Sequence, residues 1–150
     1  MTRLDALGID HIGIAVRDLE DAIAAYEQQY RLTVESRHVV AAQGVEEANL
    51  RLGDGYVQLL TPLAADTTVA RFLDRRGEGL HHVAYRVERI EPALEHLAAT
   101  GARLIDATPR PGPGPDGARI AFVHPGALAG TLIELVERTR PMPAGSSPTP

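Results

Sequence analysis

The chain has 150 residues, 44% of them hydrophobic and 23% charged, with a formal net charge of −5 and no cysteine, which fits one compact domain and excludes disulfides, thiolate metal sites and a thiol nucleophile. All 15 basic residues are arginine, so neither a Schiff-base lysine nor a P-loop lysine is available, and the negative balance without a basic stripe argues against a nucleic-acid partner. No apolar run approaches a membrane span and no signal-peptide pattern opens the chain, so a cytoplasmic protein without a membrane partner is expected.

After a short lead over 1–8, residues 10–16 read as a strand. Period 2 places His11, Gly13 and Ala15 on one face and Ile12, Ile14 and Val16 on the other. Asp18 is a plausible N-cap, and Leu19, Ala22, Ile23, Tyr26 and Tyr30 recur at helical spacing, predicting a helix over 19–30. A β-branched stretch at 32–40 and a turn at Gln43-Gly44 follow. In 47–52, Ala48, Leu50 and Leu52 should face the helix, leaving Glu47, Asn49 and Arg51 opposite. Gly53-Asp54-Gly55 is a hairpin turn leading into a strand over 56–60 that carries Gln58.

The stretch 61–79 reads as a connection with one short helical turn around Val69, Phe72 and Leu73. A second histidine strand then repeats the programme, with His82, Ala84 and Arg86 opposite Val83, Tyr85 and Val87. Ile90, Ala93, Leu94 and Leu97 mark another helix, with Pro92 near its start and Gly101 as its stop. Strands are expected at 104–107, 119–123 and 131–136, separated by a Pro/Gly loop at 109–117 that should hold no regular structure. The Pro/Ser/Ala-rich tail, 141–150, reads as disordered.

This order contains two tandem β-α-β-β-β modules, an α+β architecture, each with one sheet face under a helix and one bare. Two bare faces brought together make a cleft into which His11, Gln58, His82 and Glu134 would point, with Glu47 entering from an inner strand. Taken singly, each has a bland alternative: a structural histidine, or a Gln or Glu on a solvated sheet face. Together, two imidazoles, an amide oxygen and a carboxylate suit Co, Mn, Ni, Zn or Mg and leave two open positions for a chelating 1,3-dicarbonyl. A C–H beside such a carbonyl becomes acidic, and Glu47 stands free to act on it. His81 has the opposite parity to His82 and is read as structural, packing toward the helix layer or the strand entrance. His38, His96 and His124 are read as surface or loop residues.

The runs IDHIGIAVRDLEDAIAAY, QGVEEANL, VQLLTPL, FLDRRGEGLHHVAYRV and IAFVHPGALAGTLIELVE resemble the methylmalonyl-CoA epimerase family of the vicinal oxygen chelate (glyoxalase/bleomycin resistance) superfamily. The resemblance covers about residues 9 to 137. It implies a cupped, partly open mixed sheet around a metal cleft with helices outside. It also implies a single domain over 1–140, with modules at 8–63 and 79–138 joined by 64–78. The implied metal ligands are His11, Gln58, His82 and Glu134, the implied acid/base carboxylates Glu47 and Glu134, and the implied cofactor one divalent ion such as cobalt. The implied reaction interconverts (2R)- and (2S)-methylmalonyl-CoA through a metal-stabilised enolate, in a protein whose relatives are commonly homodimers. Arg31, His38, Ala129 and the loop at 112–117 depart from the family pattern, which leaves a different acyl chain such as ethylmalonyl open. Competing functions are a glyoxalase-type lyase, an extradiol-type dioxygenase, against which Gln58 counts, and a non-catalytic small-molecule binding module.

Overall fold

The computed structural model describes residues 4–114, 116–127 and 129–139; the tail expected to be disordered lies outside them. Eight strands form one curled sheet: β1 (Ala6–Ala15), β2 (Val34–Val40), β3 (Val45–Leu52), β4 (Gly55–Pro62), β5 (Gly79–Val87), β6 (Arg110–Pro111), β7 (Arg119–Val123) and β8 (Ile133–Glu137). Their order is β2-β3-β4-β1-β5-β8-β7-β6. The first strand of each half pairs in parallel with the last, β1 with β4 and β5 with β8, and β1 meets β5 antiparallel at the centre. The sheet is therefore mixed and its two halves mirror one another in strand order, as the repeat predicts.

Helix α1 (Leu19–Tyr30) starts where Asp18 accepts a hydrogen bond from the Asp21 amide at 2.9 Å. It covers the outer face of the first half, burying Leu19 and Ile23 against Val16, Ala48, Leu50, Val57 and Leu59. It ends on Arg31 in the left-handed region, φ 56°, a conformation that favours glycine. Helix α3 (Ile90–Ala99) does the same for the second half, packing Ile90, Ala93 and Leu94 on Val87, Ala121, Val123 and Leu135. Its N-cap residue, Arg89, makes no side-chain cap; the Ile90 amide donates instead to Glu137 of β8 at 2.7 Å. Pro92 fits because the first turn leaves amides without intrahelical acceptors.

Four expectations need correction. The connection at 61–79 holds a full nine-residue helix, α2 (Thr68–Arg76), capped by Thr67. Its Val69 and Leu73 pack on Ala15, Val45 and Leu60 at one end of the sheet. The strand expected at 104–107 reduces to one bridge between Leu104 and Val123. Asp106 breaks the ladder there by turning its carboxylate onto the Phe122 amide at 2.8 Å, and pairing resumes at Arg110–Pro111, inside the predicted loop, where Pro111 is tolerated on an edge strand. Leu52, expected under α1, is 55% exposed at the hairpin end, beyond the helix's cover.

Candidate metal centre and active-site cleft

Two rows of residues cross the middle of the concave face. In one, Tyr56, His11, Ala84 and Glu134 stand side by side on β4, β1, β5 and β8; in the next, Gln58, Gly13 and His82 do. The small residues leave room for the rings to lean inward. A Cβ built at Gly13 would lie 2.1 Å from Cε1 of His82, so the imidazole rests over the glycine and any larger residue would displace it.

This packing brings three donor atoms to one point. Nε2 of His11 lies 3.1 Å from Nε2 of His82 and 3.2 Å from Oε2 of Glu134, and the His82–Glu134 separation is 3.1 Å. Donors bound at about 2.1 Å to one ion, at octahedral to tetrahedral angles, stand roughly 3.0–3.4 Å apart. The three residues, all buried, therefore fit a divalent cation. Behind them, Nδ1 of His11 donates to Asp10 at 2.7 Å, which leaves the Nε2 lone pair aimed at the common point. Asp10 is itself fully buried and held by Arg138 at 2.6 and 2.8 Å and by Arg86 at 3.2 Å.

The electrostatics favour positive charge at that point. Burial pushes the His11 imidazole down, but its hydrogen bonds to Asp10 and Glu134 outweigh this and lift it to about 9. Burial would raise Glu134, yet the two histidines hold it at about 2. Asp10, also raised by burial, is kept well below the usual carboxylate range by Arg138 and His11. With protons alone, the two carboxylates keep His11 cationic; a metal ion would supply the same charge.

Glu47 is different. It is buried on β3 and its Oε1 has no hydrogen-bond partner among the described residues. Burial, reinforced by the negative charge of Glu134 and only partly offset by His11, pushes it up to about 7. A carboxylate with that affinity is suited to taking and returning a proton near neutrality. Gln58 lines the same cleft, its amide nitrogen donating to Asn49 at 3.3 Å and Asn49 in turn to Ser36 at 3.2 Å. That chain leaves the Gln58 carbonyl oxygen uncommitted. The cleft encloses about 370 Å³, enough for a small acyl group.

Of the residues singled out from sequence, His11, His82 and Glu134 are in mutual contact, while Gln58 and Glu47 line the cleft beside them. Two histidines read as uninvolved are in the cleft as well. His81 stacks edge-on against Phe72 of α2 at 4.9 Å and lies 3.0 Å from His82, nitrogen to nitrogen. His38 is paired in register with Glu47 and lines the wall. Asp10 and Arg138 were not anticipated. Asp10 adjoins His11, and strict alternation turns it away; a local irregularity in β1 turns it back.

Residues 10–122 match the Glyoxalase/Bleomycin resistance protein/Dioxygenase superfamily. The chain is 34% identical to an ethylmalonyl-CoA/methylmalonyl-CoA epimerase of Cereibacter sphaeroides over 85% of this chain and 95% of that one. It belongs to the methylmalonyl-CoA epimerase family of that superfamily. An uncharacterised protein of Bacillus subtilis is 38% identical over 86% of this chain and 91% of its own. A solved methylmalonyl-CoA epimerase, in complex with methylmalonyl-CoA and NH4+, superposes with a TM-score of 0.85 at 35% identity over 93% of this chain and 99% of that one. The eight-stranded half-barrel with three helices is thus the fold of the epimerase family.

Proposed function

We propose that the chain is a divalent-metal-dependent epimerase that interconverts (2R)- and (2S)-methylmalonyl-CoA. The observation that carries the reading is the convergence of His11, His82 and Glu134 on one point beside a buried, unpaired Glu47; the names of the relatives supply the substrate class. His11, His82, Glu134 and the free oxygen of Gln58 would hold the ion; the donor set suits Co2+, Mn2+, Ni2+, Zn2+ or Mg2+, and the family resemblance puts Co2+ first. When bound, the ion would polarise the substrate's oxygens and offset the charge that develops as C2 loses its proton.

The chain's own residues do the rest. Glu47, ionised, takes the C2 proton on one face of the substrate. Glu134, from the opposite half of the sheet, is the second carboxyl: in its protonated form it would give a proton to the other face as Glu47 takes one, and in the reverse direction it would take a proton as Glu47 returns its own. Held at about 2 by its histidines, it is the weaker base, so Glu47 is the principal proton carrier. Apolar walls, including buried Leu60 and Val45 and half-buried Phe122, keep water from reprotonating the carbanion at random.

On this reading residues 1–140 act as one domain, with module one at 8–63, a connection at 64–78 and module two at 79–138. A homodimer is supported by an apolar stripe on the outer face of the two central strands, where exposed Ile9, Tyr85 and Leu80 flank half-buried Ile12, Ile14 and Val83. A cytoplasmic location fits the lack, among the described residues, of a helix long and apolar enough to cross a membrane. Ethylmalonyl-CoA is the second candidate substrate, favoured by the name of the Cereibacter relative. The test is stereochemical. Incubated with pure (2S)-methylmalonyl-CoA or (2S)-ethylmalonyl-CoA, the Co2+-loaded protein should yield the (2R) isomer, and the chelator-treated protein should not. A metal-loaded protein that converts neither substrate overturns the reading.

A further inference from the structure

The residue before each ligand histidine is an extra residue in its strand. On β1, Ile9 pairs with Tyr85 and His11 with Ala84, which leaves Asp10 over. On β5, His82 pairs with Gly13 and Leu80 with Ile14, which leaves His81 over. A β-bulge of this kind re-aims the extra side chain. In both strands the result is a contact with the next residue's Nδ1. Asp10 meets Nδ1 of His11 at 2.7 Å, and Nδ1 of His81 meets Nδ1 of His82 at 3.0 Å.

Two imidazole nitrogens at that distance share one proton, and the far side of His82 decides which ring carries it. Nε2 of His82 faces Nε2 of His11 and Oε2 of Glu134, where a metal ligand needs its lone pair. The neutral His82 ring therefore carries its proton on Nδ1 and donates, and His81 accepts on its own Nδ1 with its proton on Nε2. The His81 ring is held in place from the other side by Phe72, at 4.9 Å and 73°. We infer that His81 is a positioning residue that fixes the tautomer and direction of His82, as the counterpart in the second half of Asp10 in the first. The two ligand imidazoles are then unequal: His11, backed by a carboxylate, is the stronger donor, and His82, backed by a neutral ring, the weaker.

This rests on the metal reading above, and the test separates the two. In the Co2+-loaded protein, proton NMR in water should show two exchangeable, strongly shifted N–H resonances, from Nδ1–H of His11 and of His82. His81→Phe keeps a ring against Phe72 but removes the acceptor. It should abolish or broaden one of the two resonances by solvent exchange and weaken Co2+ binding, measured against a chromophoric chelator, by about 10–100-fold. His81→Gln, whose carbonyl oxygen can accept, should restore the resonance and most of the affinity. Wild-type resonances and affinity in His81→Phe overturn the role of His81 and leave the metal site standing. Equal losses in the Phe and Gln variants also overturn it, since packing rather than the hydrogen bond would then be at work. A wild-type protein that binds Co2+ without shifted histidine N–H signals overturns both readings.

Discussion

On the proposed reading Glu47 is the residue on which the chemistry turns, because among the described residues it is the one buried carboxylate left without a partner. Glu47→Gln keeps the shape and every proposed metal ligand. It should retain stoichiometric Co2+ while epimerisation falls by about 10²–10⁴-fold, the usual worth of a positioned base. The same residue has a signature in the metal-free protein. Its raised affinity, about 7 against 4.5, means that the native state holds the proton where the unfolded chain has released it. Stability is therefore lost as pH rises from about 4.5 to about 7, and Gln at this position removes the loss. The stability of Glu47→Gln relative to wild type, from chelator-treated denaturation curves, should rise between pH 5 and pH 8 by on the order of 3 kcal/mol. Asp10 has the opposite sign. Held low by Arg138 and His11, its contribution is present above the unfolded value and disappears as pH falls below it. Asp10→Asn weakens the brace on His11 and leaves Arg138 facing a neutral amide. It should loosen Co2+ by about 10–100-fold, read by chelator competition.

At the scale of elements, period 2 located the cleft face of β1, β3, β4, β5 and β8, because β3, β4 and β8 are regular around Glu47, Gln58 and Glu134 and the extra residues of β1 and β5 fall just before His11 and His82 rather than on them. The rule failed where a strand carries an extra residue. Asp10 and His81 sit in bulges, and no count of alternation in a single strand reveals a bulge that is defined by its partner's register. Helix α2 was underestimated because its apolar contacts, Val69, Ala70 and Leu73, are few for nine residues; Thr67 as an N-cap, and Gly77 beyond Arg75 and Arg76, were the available signals. The edge at Arg110–Pro111 was hidden by its proline and glycines. Arg31 offers a local test. A non-glycine residue in the left-handed region costs roughly 1 kcal/mol, and Arg31 pays that at the end of α1. Arg31→Gly should raise the thermal midpoint by about 1–2 °C, since the relief of strain slightly exceeds glycine's added unfolded-state freedom.

For the whole molecule, the mirrored strand order matters more than any single contact. It sets His11 and His82 on adjacent central strands and Glu134 on the next, so the centre exists only when both halves close. The outer face of the same two strands carries the Ile9, Tyr85 and Leu80 stripe. If two copies meet there, Ile9→Arg should turn a dimer into a monomer in sedimentation velocity while the Co2+ stoichiometry per chain stays unchanged. Both the fold and the cleft-facing residues were legible because the two halves repeat the same alternation; the contacts of Asp10 with His11 and of His81 with His82 depend on bulges set by the partner strand's register and were not. The most direct test of the central claim is exchange of the C2 hydrogen of methylmalonyl-CoA in heavy water. The Co2+-loaded protein should incorporate deuterium at C2, chelator should stop it, and Co2+ should restore it. No incorporation with fully loaded protein, or incorporation indifferent to chelator, would contradict the account.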